Sequence, residues 1–202
     1  MIVGKLLGSA ALAAVGSTGA INFCIIGFCM GVCNGFAIPV AQRMGANEPD
    51  KMRQFVANAA YLSILFALVI TVVTGFLCRR ILTVMLTPED IFENAYIYIF
   101  ILFMGIPATF LYNLLAGIIR SLGDSKTPVY FLALSSILNI VLDLAFILWC
   151  KTGVAGAAIA TVAAQGVSGI ACLVYMTRKF PILRMSARER RLDLHSCAVL
   201  CA

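Results

Sequence analysis

Polar and apolar residues along this chain do not alternate; they separate into long blocks. Four uncharged runs, Leu6–Gln42, Gln54–Cys78, Asn94–Ile119 and Thr152–Thr177, are long enough to cross a bilayer, since about 20 apolar residues suffice for a helical span. A fifth run, Thr127–Cys150, is interrupted only by Asp143. The first run is too long for one helix. Its opening, GSAALAAVGSTGA, is small and glycine-rich and reads as a connection leading into a helix. The expected spans are residues 20–42, 54–78, 94–119, 127–150 and 153–177. The fold class is therefore all-α, a polytopic membrane helix bundle of about five transmembrane helices.

Between the runs, GANEPDKMR, LTPEDIFEN, GDSKTP and CKTG hold Gly, Pro and Asp or Asn where the chain must reverse. Thr87-Pro88-Glu89-Asp90 also reads as a helix start, with Thr87 as N-cap and Pro88 at the first helical position.

Composition agrees with the blocks. Hydrophobic residues make up 62% and charged residues 12%, against about 45–50% and about 25% in soluble domains, and mean hydropathy is +1.00. The net charge of +6 is explained by topology and needs no nucleic-acid partner. With five spans, one side takes Arg43, Lys51, Arg53, Arg120, Lys126, Arg178, Lys179, Arg184, Arg188, Arg190 and Arg191, and the other takes Lys5, Arg79, Arg80 and Lys151. The eleven-cation side is expected to be cytoplasmic, which places the residue 1 end outside and the 178–191 segment inside. Trp149, Tyr96, Tyr130 and Tyr175 near span ends fit interfacial anchoring. Membrane lipid is then an obligatory partner.

The eight cysteines do not read as a secreted disulfide framework: Cys24, Cys29, Cys33, Cys150 and Cys172 lie in or beside apolar runs, where a thiol acts as a small hydrophobe. His195, Cys197 and Cys201 are close in sequence but lack a nearby fourth ligand, so zinc is not expected. The chain has almost no charged stretch ahead of its first run, opens on a glycine-rich connection and closes on HSCAVLCA. The expectation is a fragment, with no cleavable leader at its start and a further apolar segment beginning at its end.

Asp143 is the residue that asks for a function. A carboxylate at mid-bilayer costs about 2.5–3.5 kcal/mol on insertion scales, and such residues mark ion and substrate pathways. The alternative is a structural acid hydrogen-bonded across helices. Asn139 and Asp143, four apart, share a helix face. If the last two spans form a hairpin about residue 152, Asp143 is level with Thr161 and Asn139 with Gln165, in tiers about 6 Å apart. Ala157, Thr161, Gln165 and Gly169 form a small-and-polar stripe that permits close packing, though Thr161 could instead bond its own helix. A carboxylate, an amide oxygen and a hydroxyl are hard donors suited to Na⁺ or a proton. Pro107 in GIPATF bends its span, either as a hinge or as a tolerated kink. Asn113 is a candidate for the same cavity, and Asn34 a further one on the first span.

At these residues the chain resembles the multidrug and toxic compound extrusion (MATE) family of cation-coupled efflux transporters. The resemblance runs through IVGKLLGSAALAAVGS, AQRMGANEPDKMRQ, GIIRSLGDSKTPVYFLALSSILNIVLDLAFI and GVAGAAIATVAAQ, nearly the whole chain and in family order. It implies that residues 1–180 are the N-terminal lobe of a twelve-helix, two-lobe transporter, with residues 20–177 as helices two to six. Residues 181–202 would be the basic inter-lobe segment and the start of the next apolar one. It further implies a coupling-ion site for Na⁺ or H⁺, with no other cofactor. The family's Asn-x-x-x-Asp pair falls on Asn139 and Asp143, its helix-six threonine on Thr161 and its helix-four asparagine on Asn113. The family's helix-one acid would precede Ile2–Gly4, so helix one and the second lobe are the partners this chain lacks.

The expected function is antiport: an organic cation or amphipathic drug leaves as Na⁺ or H⁺ enters. A lipid-linked glycan flippase would want a large cationic cavity, whereas the basic residues here sit in loops. A membrane-embedded enzyme would want a second convergent catalytic group, and the spans hold one acid and no histidine. A truncated product that does not transport is the remaining reading.

Overall fold

The computed structural model describes residues 8–150, 152–183 and 193–201, with the backbone alone at Leu194, His195 and Cys201. All regular elements among these residues are helical: α1 Ser9–Ser17, α2 Gly19–Gly45, α3 Pro49–Val84, α4 Glu89–Met104, α5 Ile106–Ser121, α6 Lys126–Leu144, α7 Gly153–Lys179 and α8 Leu194–Cys201. A π turn, Ala145–Trp149, continues α6. Four helices are long and apolar enough to span a membrane, and α4 with α5 makes a fifth span bent by 44°. The chain is a polytopic helix bundle.

Two local expectations need correction. The stretch read as a connection is largely helical: SAALAAVGS forms α1, because alanine has the highest helix propensity. The break comes at Thr18, which is fully buried and bonds Val15 O at 2.9 Å through its hydroxyl. The second correction is at LTPED. The N-cap of α4 is Pro88 (φ −57°, ψ 143°), not Thr87, and it makes no side-chain cap. Thr87 Oγ1 is buried with no partner among the described residues. Proline's fixed φ suits the extended cap conformation, which moves the helix start one residue on.

The bent span has a packing cause. Gly105 separates α4 from α5, and Pro107 sits in the first turn of α5, where a missing N–H leaves no helical bond unmade. A Cβ on Gly105 would collide with Val162 Cγ2 of α7. Only glycine allows α7 to press into the break. Pro107 itself is exposed.

From that break, α5 runs through the centre of the bundle, against α2, α3 and α7. Phe36, Met52, Phe103, Phe110 and Ile118 fill the core. Large apolar side chains such as Phe23, Phe76 and Ile137 face outward, the exterior that hydrocarbon requires. Helix α6 is peripheral: Pro128 is its only buried residue. The seven cysteines with described side chains are free thiols.

Polar contacts gather at the helix ends. At one end Glu48 takes Arg43 at 3.0 Å and Lys51 at 2.9 Å, Arg53 pairs with Asp50, and Arg53 Nη1 reaches Ile182 O at 3.2 Å. The α5–α6 turn closes there too. Its Asp124 accepts Thr127 N–H at 3.0 Å, Thr127 Oγ1 at 2.7 Å and Tyr175 OH at 2.8 Å. At the opposite end Arg79 pairs with Glu93 at 3.2 Å and lies 4.9 Å over the Tyr96 ring.

Two outcomes follow from this packing. Gly105→Ala is expected to lower stability by about 1–3 kcal/mol through overpacking, and Val162→Ala in the same chain to recover most of it, as read by thermal unfolding in detergent. The second concerns Asp124, whose carboxyl is held below its usual range first by the Thr127 hydroxyl, then by the Thr127 N–H, with Tyr175 assisting. A depressed folded pKa stabilises above the unfolded carboxylate range, and that stabilisation is lost as pH falls through the folded value. Thr127→Val should therefore melt lower than wild type at neutral pH, with the gap closing below the carboxylate range.

Candidate functional site

Helices α6 and α7 form an antiparallel hairpin, and its polar residues meet. Asn139 Nδ2 donates to Thr161 Oγ1 at 3.1 Å, while the same hydroxyl donates to Ala157 O at 3.0 Å. Thr161 thus bonds both its own helix and the neighbouring one. Asp143 lies one turn along α6 from Asn139 and is half-buried. Its Oδ1 is buried with no hydrogen-bond partner among the described residues. No described Lys or Arg forms an ion pair with it.

The register differs from the expected tiers. Asn139 meets Thr161 and not Gln165, one turn closer to the hairpin. Helix α6 with its π turn ends at Trp149 and α7 begins at Gly153, so the midpoint between their ends is 151 and not 152. The wider π turn also covers less length per residue. Continuing one turn on each antiparallel helix sets Asp143 level with Ala157, whose methyl offers no donor. The same offset that pairs Asn139 leaves the acid unpaired.

Gln165, one turn further along the same face of α7, is engaged with α5. Its Oε1 accepts from Thr109 Oγ1 of α5 at 2.6 Å, and Asn113 Nδ2 donates to Thr109 O at 2.8 Å. A cavity of about 40 Å³ lies beside them, with Thr109, Thr161, Gln165 and Tyr98 in its walls. That exceeds the roughly 10–15 Å³ needed for one water. Thr109 and Tyr98 were not singled out by sequence reasoning. A signal for Thr109 existed: it precedes Asn113 by four, the spacing of one helix face. Tyr98, which lies within electrostatic reach of Asp143, resembles its neighbour Tyr96 in an aromatic run and carries no such mark.

Asn34 is elsewhere. It is exposed on α2, and its Oδ1 accepts from Arg120 Nη2 at 3.0 Å; it is absent from the walls of the small cavity. The side chains of His195 and Cys201 lie outside the described residues. Cys197 Sγ sits 3.4 Å from Asn58 Oδ1.

Residues 1–145 match the MatE family model. The chain belongs to the MatE family. It is 33% identical over 195 residues to "Probable multidrug resistance protein YoeA" of Bacillus subtilis (strain 168), covering 95% of this chain and 42% of that protein. A second relative from the same organism, "Probable multidrug resistance protein YpnP", is 32% identical over 191 residues, covering 93% and 43%. Among solved structures, the "Inward-facing conformation of a multidrug resistance MATE family transporter of the MOP superfamily" superposes with a TM-score of 0.91 at 26% identity, over 98% of this chain and 46% of that one. An outward-facing structure of the same description gives 0.89 at 26% identity, over 98% and 44%. This MatE chain thus spans under half the length of these relatives, and its bundle fits both conformations about equally well.

Thr161 is the hinge of the polar pairing. Thr161→Val, which keeps the shape and removes the hydroxyl, is expected to cost about 1–3 kcal/mol by leaving the Asn139 amide without an acceptor. Thr161→Ser should stay near wild type, and thermal unfolding of both variants in detergent checks this.

Proposed function

We propose that this chain supplies helices two to six of the first lobe of a two-lobe, twelve-helix antiporter. In that transporter an organic cation or amphipathic drug leaves the cell as Na⁺ or H⁺ enters. The carrying observation is the buried, unpartnered Asp143 Oδ1 one turn from the Asn139–Thr161 bond. An uncompensated carboxylate in a low-dielectric site is costly, and either a bound cation or a proton relieves it. Asn139 spends its amide nitrogen on Thr161, so its amide oxygen is left for a cation beside the carboxylate. The Thr161 hydroxyl, bonded twice, keeps one acceptor position. Three hard oxygens of this kind suit Na⁺, and protonating Asp143 removes the same charge.

Occupancy then biases conformation. Neutralising Asp143 changes which packing of α6 and α7 is stable, and the difference in ion affinity between two packings sets how far the equilibrium can shift. The break at Gly105 and Pro107 gives α4 and α5 a place to move against α7. Gln165 and Asn113, tied through Thr109, and Asn34 with Arg120 are the candidate walls of the substrate cavity. The names of YoeA and YpnP favour drugs as cargo. In this reading the residue 1 end is outside the cytoplasmic membrane, and residues 178–191 face the cytoplasm.

Asp143→Asn in the complete transporter should abolish ion-driven efflux while expression and melting temperature hold. The assay is dye export from vesicles under imposed Na⁺ or pH gradients. Wild-type export by this variant would sink the site. Movement of lipid-linked sugars without cationic dyes would favour a flippase over an exporter.

A further inference from the structure

The opening turn of α8 is tied to the bundle by bonds that the transport reading does not use. Asn58 of α3 is fully buried and donates from Nδ2 to Gln54 O of its own helix at 2.8 Å. Its Oδ1 faces α8, where it accepts from the Asp193 N–H at 3.0 Å and from Cys197 Sγ at 3.4 Å. Asp193 directly precedes α8 and Cys197 lies one turn in. One amide oxygen therefore holds both ends of that turn.

The turn is itself well fixed. Asp193 Oδ2 accepts from the Ser196 N–H at 3.0 Å and from the Ser196 hydroxyl at 2.7 Å, while Asp193 O accepts from the Cys197 N–H at 2.9 Å. That is the pattern of an N-cap, which satisfies donors that a helix start leaves over. Ser196 and Leu200, four apart and so on one face, are buried, and α8 packs against α2 and α3. The Asp193 carboxylate orders the turn, and the Asn58 amide ties it to the lobe.

The same stretch of α3 holds the chain a second time. Arg53, five residues before Asn58, donates from Nη1 to Ile182 O at 3.2 Å. The described ends that flank residues 184–192 are thus both bonded to one helix. Of the two bonds, the one to Asn58 is sheltered and the one from Arg53 is exposed. A buried amide oxygen left without a donor is costly in low-dielectric surroundings, so Asn58 favours α8 docked over α8 released.

We propose that Asn58 is a positioning residue that makes the opening turn of α8 part of this lobe, so that movement between the two lobes of the transporter is taken up beyond that turn. The placing of the movement rests on the two-lobe reading. The docking stands on the bonds to Asn58, whether or not Asp143 binds an ion.

Hydrogen exchange of the full chain in detergent, read by peptide mass spectrometry, tests the docking. Asn58→Leu, close in volume but without the amide, should speed exchange over residues 196–201 several-fold and leave residues 106–121 unchanged. Asn58→Cys keeps the test decisive if the leucine variant fails to fold. Reduced, it should exchange as fast as Asn58→Leu; oxidised with diamide to a disulfide with Cys197, mapped by mass spectrometry, it should return to the wild-type rate or below. Exchange over 196–201 that neither variant moves, or no disulfide to Cys197, would overturn the docking role. The same disulfide in the complete transporter tests where movement occurs: dye export from vesicles should continue at the wild-type rate. Export lost on oxidation and restored by reductant would overturn that placement. A wild-type transporter that exports nothing would sink the transport reading and the placement with it, while the exchange result still judges Asn58.

Discussion

Inside hydrocarbon no solvent stands ready to satisfy a buried polar atom, so each one must find a partner in the protein or remain a stored cost. That constraint orders this bundle. Thr18, Thr74 and Thr161 turn their hydroxyls back onto their own helices, Asn58 and Asn113 do the same with their amides, and Gln165 is met by Thr109. Ser63, Thr71 and Ser168 keep buried hydroxyls without a partner among the described residues, a modest cost for a neutral group. Asp143 Oδ1 is the ionisable case. The same lack of a partner is worth far more on a carboxylate, because its charge loses solvation.

The bundle is arranged so that this cost stays local. Helix α6, which carries the acid, packs mainly on α7 and lies at the periphery. Helix α5 holds the centre and carries the tight packing: Gly117 approaches Ala37 of α2, and Gly169 of α7 approaches Leu111. Packing is thus dense around α5 and sparse around α6. The bend at Gly105 lies between the two regions, against Val162, which follows Thr161 directly.

Much of the candidate site was legible because helix periodicity is a local rule. Four residues separate Asn139 from Asp143, Ala157 from Thr161 and Thr161 from Gln165, and a helix cannot place such neighbours on different faces. The partner across the hairpin was not legible, since it depends on turn length and on rise per residue. The π turn at Ala145–Trp149 alters both and leaves no mark in an apolar run. Asn34 was grouped with the cluster because it is polar within a span, but its partner is a cation at the end of another helix, 86 positions away in sequence. Thr87 failed as a cap because the adjacent proline already supplies the extended backbone a cap requires.

The sequence by itself determined that this chain is a set of membrane-crossing helices, how many, and where a lone acid interrupts them. Bilayer thickness and the cost of burying charge act on each segment separately, so they can be read one run at a time. Tertiary structure decided which tier of α7 meets Asn139, that Thr109 joins Gln165, and that the third span breaks where Val162 presses on Gly105. Those outcomes depend on how two or three helices slide past one another until their side chains interlock, a condition that no single helix carries in its own residues.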